Sequence, residues 1–348
     1  MILLRKSLRL ALYILLLIFI FLFYIWSQLI GVTFFLLIIF DIFTTKISVS
    51  FLKKKLSKNS FRIIKYGFLF LLPFAFALFV RTFLFDIYFV PSSSMEQTLF
   101  PNDYVLINKL SYGTKIPKQI IDIPVIGSFF SNDPKKHIYD LYKPLKKFKD
   151  FSHEDIVVFK SVNDNAKFLV KRIIGMPGDM LSIKNTNVKI NHFFLEDKPQ
   201  YCYRYIDSTR KKMPLLLAKS YSNSEYDTLN LALKKKLVKN NMQKPSIGFY
   251  IFPKSKQQEW THDNYGPLLI PKKGMTIALN KDILPIYDKL IDYYENEKIL
   301  LSDNETYSYT FKNNYYFMLG DNRHASIDSR MFGFVPESYI QGKLVAVF

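Results

Sequence analysis

Three stretches of this chain hold residue types that can do chemistry together. Val90 to Leu99 reads VPSSSMEQTL and offers a cluster of hydroxyls at Ser92, Ser93 and Ser94. Lys171 to Asp179 reads KRIIGMPGD, and Gly320 to Arg330 reads GDNRHASIDSR. A serine hydroxyl is a weak nucleophile and needs a base within hydrogen-bond reach. The five histidines, His137, His153, His192, His262 and His324, sit in no triad-like or metal-ligand setting, and His153-Glu154-Asp155 reads as a solvated loop. Lysine is the remaining base. A free lysine, with a pKa of ~10.4, is protonated at neutral pH. Full burial lowers that value by up to ~3–5 units. Side chains alternate along a strand, so Lys171 shares a face with Leu169 and Ile173, while Arg172 points the other way. Each piece alone has a plainer reading. A strand lysine snorkels, a serine cluster caps a turn, and Gly175, Gly178 and Gly320 make turns. Asp328 and Arg330, two apart, share a face if extended and could pair; an isolated exposed pair contributes less than about 1 kcal/mol.

The elements that must position these residues fall into an apolar part and a mixed part. Residues 1–90 hold 11 Lys and Arg against 2 Asp and Glu, a balance of +9 out of the net +19, and most of the long apolar runs. Half of the excess charge therefore flanks apolar sequence, which points to a membrane surface. With no zinc-finger spacing and no compact basic block in residues 91–348, no nucleic-acid partner is expected. Cys202 is the one cysteine among 348 residues, which rules out an intrachain disulfide and a cysteine-based metal site.

Leu8 to Trp26 has about the ~20 residues a helix needs to cross a hydrocarbon core, with Arg5, Lys6 and Arg9 at its start. Its basic start and apolar middle look like a signal peptide. Tyr24-Ile25-Trp26-Ser27-Gln28 is no small-x-small cleavage site, however, so an uncleaved anchor is expected. Leu29 to Phe43 is a second apolar run. Gly67 to Phe85 is a third, interrupted by Pro73 and Arg81. Between the last two lie Lys46, Lys53, Lys54, Lys55, Lys58, Arg62 and Lys65 with no acid among them, which the positive-inside rule makes cytoplasmic. Three crossings, or two if residues 8–43 form one tilted helix, both put everything after Phe85 outside. Ser94, nine residues further on, is then held within about 30 Å of the bilayer at ~3.3–3.6 Å per residue.

Beyond the apolar part, Asp103 to Leu110, Asp155 to Phe159 and Phe168 to Ile174 read as strands. Met180–Ile183 and Val188–Ile190 read as a hairpin around Asn185-Thr186-Asn187. Ile116 to Lys149 reads as an irregular loop. Ile283, Ile286, Tyr287, Leu290, Ile291 and Tyr294 recur at helical spacing and mark one amphipathic helix with a core-facing stripe. Tyr307 to Met318 alternates like a strand, and Gly342 to Phe348 is a terminal strand. Many short strands with few helices predict a mainly β domain.

The three motifs in this order, behind an apolar anchor, resemble type I signal peptidases, the membrane-anchored Ser/Lys endopeptidases that remove signal peptides from exported proteins. The resemblance covers the anchor and residues 90–116, 168–191 and 316–348. It rests on Pro91-Ser92-Ser93-Ser94-Met95, on the intact Lys171-to-Asp179 motif, and on the intact Gly320-to-Arg330 motif. It implies Ser94 as nucleophile, Lys171 as general base, and Ser92 as an oxyanion donor beside the backbone N–H of Ser94. Ser326 would hydrogen-bond and orient Lys171, and Asp328 and Arg330 would form a structural ion pair near the site. Val90, Leu99 and Val170 are candidate walls for shallow pockets that take small substrate residues. Gln97 stands where the family usually has proline, and His324 where many members have aspartate.

The fold implied is a mainly β extracytoplasmic catalytic domain, of the kind shared with self-cleaving repressors, carrying N-terminal transmembrane helices. Residues 1–89 form the anchor, with a basic cytoplasmic loop at 44–66. Residues 90–348 form the catalytic domain, with a second β subdomain at about 192–314, where Tyr265-Gly266-Pro267 through Pro271-Lys272-Lys273-Gly274 looks like a stretch of longer members. The implied location is the cytoplasmic (inner) membrane, multi-pass, with preprotein signal peptides and the lipid bilayer as partners, and with no metal, no cofactor and no nucleic acid. Two other readings stay open on residues alone: a Ser/Lys self-cleaving regulator and a catalytically inactive membrane scaffold.

Overall fold

The structure, a computed structural model, describes residues 13–21, 36–37, 39–42, 46–114, 147, 149–163, 167–209, 218–243, 250–253, 259–302 and 305–348. Residues 13–21 of the first apolar run and 36–37 and 39–42 of the second are helical, and the rest of both runs lies outside the described residues, as does most of the Ile116–Lys149 loop. The chain then continues through helices α1 (Ile47–Lys55) and α2 (Lys58–Phe79). Ser57 caps α2 by accepting the Ser60 N–H at 3.2 Å, and a π-turn, Val80–Leu84, continues it. Together Lys58–Leu84 make 27 residues with a mean hydropathy of 2.2 in their most apolar stretch and none of that stretch buried. Phe70, Phe74 and Phe76 project outward. An apolar face this large in water marks a contact surface, and its length suits a bilayer. The helix starts at Lys58 rather than at Gly67, because the cationic stretch before the apolar run is helical as well.

At Phe85 the chain switches from helical to extended backbone. Strand β1 (Phe85–Phe89) pairs antiparallel with β2 (Tyr104–Asn108). Phe85–Phe89, inside the 1–89 span expected for the anchor, are thus tied by backbone hydrogen bonds into the sheet that carries the site. Then come β3 (Ile156–Lys160), β4 (Phe168–Gly175), β5 (Met180–Lys184), β6 (Asn187–Ile190), β7 (Phe193–Phe194), β8 (Cys202–Asp207) and β9 (Lys219–Ser222). Two short helices, α3 (Asn223–Thr228) and α4 (Leu231–Lys234), precede β10 (Leu237–Lys239), β11 (Tyr265–Leu269) and β12 (Thr276–Leu279). Helix α5 (Leu284–Tyr294) leads to β13 (Tyr307–Thr310) and β14 (Tyr315–Leu319). Helix α6 (Ser329–Phe332), β15 (Val335–Pro336) and β16 (Ile340–Val347) close the chain.

Seven strands form one sheet in the order β1-β2-β16-β3-β4-β14-β15, with the C-terminal strand set between β2 and β3. Smaller sheets run β11-β5-β6-β7, β10-β8-β9 and β12-β13. The first of these joins β5–β7 to β11, so it draws strands from both sides of residue 192. The hairpin expected around Asn185 to Asn187 is present: Lys184 pairs with Asn187, and Asn185 and Thr186 take φ of 51° and 69°, the left-handed turn that fits strand twist. Helix α5 buries the predicted stripe of Ile286, Tyr287, Leu290 and Ile291.

The central strands β3 and β4 are covered on both faces. Val157, Phe159 and Ile173 join Tyr316, Met318 and Val335 in one core cluster. Val158 and Val170 join Val90, Met95, Leu99, Val105 and Ile107 in another. A third cluster, around Ile174, Leu181, Tyr265, Phe317 and α5, unites the smaller sheets with β14. Phe317 is fully buried opposite Gly175. Truncating it to alanine removes buried apolar area and leaves a cavity. Phe317→Ala is expected to lower stability by about 3–5 kcal/mol, read as a fall in the denaturation midpoint of the detergent-solubilised protein.

Candidate active site

Ser94 sits in a tight turn rather than in an open loop. The chain leaves β1, runs extended through Ser92, and folds into the 3₁₀ turn Ser93–Met95. The turn is closed by Glu96 N–H to Ser93 O at 3.1 Å and by Leu99 N–H to Met95 O at 2.7 Å. Met95 and Leu99, both fully buried, nail it to the sheet. Gln97 has a φ of 70°, a backbone that proline, fixed near −65°, does not adopt. Its amide nitrogen donates to Glu225 of α3 at 3.0 Å.

Lys171 lies mid-strand in β4 and is 3% exposed. Opposite it on β3 stands Val157, and two residues on stands Ile173, both fully buried. Its Nζ donates to Ser94 Oγ at 2.6 Å and to the Val170 carbonyl at 2.9 Å. Burial disfavours the ammonium and pushes its pKa down to about 8, against the pull of the Asp328 and Asp321 carboxylates. The structure thus brings together the hydroxyl and the amine, and it puts the amine in the desolvated surroundings that the apolar neighbours in β4 foretold.

The Gly320-to-Arg330 segment clasps the turn from the far side. Asn322 donates its backbone N–H to Ser94 O at 3.1 Å and its side-chain nitrogen to Ser93 O at 3.2 Å and Glu96 Oε2 at 3.0 Å. Gly320 allows this approach: a Cβ there would lie 2.5 Å from Ser94 O and would run into Ser326. The N–H of Gly320 in turn donates to Asp328 Oδ2 at 3.2 Å. Asp328 and Arg330 do pair, at 2.7 and 2.9 Å, but not across an exposed strand. Asp328 caps α6, and the pair is fully buried, with Arg330 also donating to the carbonyls of Arg323 and His262. Burial would raise the Asp328 carboxyl, but the Arg330 guanidinium outweighs it and holds that pKa below the ordinary range.

Other expected residues sit as follows. Ser92 Oγ is 3.3 Å from Ser94 Oγ and is exposed to an incoming ligand. Val90, Leu99 and Val170 share one buried cluster with Met95. The Ser326 Oγ is buried and takes no hydrogen-bond partner among the described residues, and the second contact of the Lys171 amine is the Val170 carbonyl.

Sequence reasoning missed how Arg172 is held. It is no distant fixed charge, because it makes a bidentate pair with Asp321 at 2.8 and 2.6 Å, and Asp321 also accepts from Thr98 at 2.6 Å. An arginine beside the base and an unassigned aspartate in the last motif were the available signal. Cys202 was also missed as a neighbour of the site: its N–H donates to Asp321 O and its carbonyl accepts from Arg323, both at 2.9 Å. The His324 side chain is buried, accepting from the Arg204 N–H at 3.0 Å and meeting Asp263 at 2.9 Å. It therefore ties the third motif to β8 and to the loop before β11.

A family model described as "Signal peptidase, peptidase S26" matches residues 63–348, which include all three motifs and every residue of the site. The chain belongs to this family. The signal peptidase I of Buchnera aphidicola subsp. Baizongia pistaciae is 30% identical over 312 residues, covering 88% of this chain and 84% of that protein. Its counterpart in Buchnera aphidicola subsp. Schizaphis graminum is 28% identical, covering 80% and 72%. The signal peptidase I of Aquifex aeolicus is 25% identical, covering 78% of each chain.

The buried lysine of this peptidase has a stability consequence with a definite sign. The unfolded chain holds the proton up to the ordinary 10.5, while the folded chain releases it near 8. Between those values stability rises with pH, and below about 8 the full penalty stands. At ~1.4 kcal/mol per unit, less about 1 kcal/mol for lost hydrogen bonding, Lys171→Met is expected to stabilise the fold by roughly 2–3 kcal/mol at pH 7. The gain should shrink as pH rises toward 10.5, as read by denaturant titrations at several pH values.

Proposed function

We propose that this chain is a membrane-bound serine endopeptidase that cleaves N-terminal signal peptides from exported preproteins through a Ser94/Lys171 dyad. One observation carries the assignment: the Lys171 amine, sheltered from water, lies 2.6 Å from Ser94 Oγ. In the reaction, neutral Lys171 takes the Ser94 proton as Oγ attacks the scissile carbonyl. The oxyanion is held by the Ser92 hydroxyl and the Ser94 backbone N–H, fixed donors of the kind that contribute about 2.7–4 kcal/mol each in comparable sites. The Lys171 ammonium then protonates the leaving amine. A water deprotonated by Lys171 hydrolyses the ester and restores Ser94. Ser326, whose hydroxyl shares the flank of Gly320 with the Ser94 carbonyl, is the polar group the amine takes up as it gains and loses its proton. Val90, Leu99 and Val170 bound the pockets for small residues before the scissile bond, the substrate adding as an extended strand.

In this reading Lys58–Leu84 crosses the cytoplasmic membrane, in an anchor of two or three crossings. The basic stretch from Lys46 to Lys65 stays cytoplasmic, and the sheet domain lies on the extracytoplasmic side, elaborated by a second β subdomain over about 192–314. No metal or cofactor takes part. What supports the placement is the unburied apolar surface of Lys58–Leu84, the acid-free cationic stretch before it, and the short link to Ser94.

Ser94→Ala and Lys171→Ala should each reduce cleavage of an exported preprotein by more than about a thousandfold, seen as loss of the mature band. Full activity in Ser94→Ala would remove the assignment. In the active enzyme kcat/KM should rise about tenfold per pH unit up to about 8, then level off, because the neutral amine is the reacting form. A profile with no change between pH 6 and pH 8 would exclude Lys171 as base.

A further inference from the structure

Where the apolar helix meets the sheet, a groove of about 510 Å³ opens between the last turns of the helix and the β1–β2 hairpin. Its walls are Phe76, Ala77 and Val80 from the helix side and Phe85, Ile87 and Leu106 from the strands, and its polar groups are Arg81 and Asp86. We propose that this groove holds one anionic glycerophospholipid, with its phosphate on Arg81 and an acyl chain along the apolar walls. The inference rests on the reading that Lys58–Leu84 crosses a bilayer.

Charge complementarity selects the headgroup. Asp86 is shared by two cations: Arg81 Nε at 3.0 Å and Lys109 Nζ at 2.8 Å. Lys109 is buried and its ammonium is committed, donating also to the Arg81 carbonyl at 2.7 Å. Arg81 differs, with a half-exposed side chain whose terminal nitrogens take no partner among the described residues. A planar guanidinium with two free donors is the group that suits a phosphate. Asp86 holds its inner edge and so fixes the direction in which the outer edge points. Arg81 is also the first charged residue after Lys65 along this helix. That puts it where an arginine closing an apolar span reaches the headgroup level.

The walls select the rest of the molecule. Three come from the span itself, so the groove continues the helix surface that faces hydrocarbon, and Phe76 and Ile87 are more than half exposed. A lipid tail covers such a surface with no polar group to satisfy. An extended peptide laid against the span would have to bury backbone N–H and C=O groups in hydrocarbon. The preprotein is therefore the competing occupant rather than the favoured one.

The test uses the full chain in detergent. Native mass spectrometry would compare retention of phosphatidylglycerol and phosphatidylcholine with identical acyl chains. One phosphatidylglycerol should be retained preferentially by the unmodified protein. Arg81→Gln should lower that preference about tenfold, the loss of one charge-assisted phosphate contact. Ala77→Phe, which fills the groove and leaves Arg81 in place, should lower retention of both lipids. Equal retention of the two lipids by the unmodified protein, a preference unchanged in both variants, or displacement of the lipid by a signal-sequence peptide would overturn the proposal. Alkaline extraction of membranes keeps the two levels apart. If the unmodified chain stays in the pellet, the membrane reading stands whatever the lipid result. If it extracts, that reading fails first.

Discussion

The site depends on keeping water away from one amine. A lysine in contact with solvent near neutral pH is an ammonium, and an ammonium cannot take a proton from a serine. Val157 and Ile173 stand beside Lys171, and the sheet is covered on both faces at β3 and β4, so the charged form loses most of its hydration. The carboxylates of Asp328 and Asp321 pull the other way, and both are compensated elsewhere. Asp328 spends its charge on Arg330 and Asp321 on Arg172. A carboxylate left unpaired beside the amine would restore the ammonium by simple attraction. The two buried arginines therefore serve the dyad indirectly, by occupying the acids that would otherwise hold the proton on Lys171.

Geometry follows from the same economy of contacts. The turn bearing Ser94 is pinned from below by Met95 and Leu99 and from the side by Asn322, while Gly320 keeps the two backbones close. The chain from Asp328 through Gly320 to Asn322 links a buried ion pair to the carbonyl of Ser94. Breaking a buried pair by removing one partner commonly costs 3–5 kcal/mol, so this part of the site is rigid because loosening it exposes uncompensated charge. Positional accuracy at Ser94 is thus inherited from electrostatics several residues away.

Much of this could be read from residue order alone, and the parts that could not share a cause. The strands around Lys171, the hairpin at Asn185 and Thr186, and the stripe on α5 are local: periodicity and turn chemistry specify them within a dozen residues. The pairing of Ser94 with Lys171 was legible through motif resemblance, although 77 positions separate them. The strand at Phe85–Phe89 is not legible in the sequence, because an apolar strand and the end of an apolar helix look alike in composition and only pairing with β2 tells them apart. The two-residue spacing of Asp328 and Arg330 allows a pair on an extended chain, and they do pair, but with Asp328 as a helix cap. The Arg172–Asp321 pair and the bridge from Cys202 to the third motif are contacts between distant segments, which no local pattern encodes. Ser326 shows the opposite case, a residue whose expected role comes from the family resemblance while its hydroxyl takes no hydrogen bond among the described residues.

The same physics explains why the dyad sits so soon after the apolar helix. β1 begins at Phe85 directly after the π-turn, with no linker to let the sheet drift from the span. Ser94 follows nine residues later, within reach of a few nanometres at most. A substrate whose own apolar segment lies in a bilayer can present its next residues only close to that bilayer. A nucleophile on a long tether would spend most of its time elsewhere, and the effective concentration of the two groups would fall steeply with tether length. Fixing the sheet to the helix through the shared carboxylate of Asp86, which grips Arg81 on the helix side and Lys109 on the sheet side, removes that loss. The ion triad at the junction thus fixes the sheet against the apolar helix, and burial at the centre holds the Lys171 amine beside the Ser94 hydroxyl.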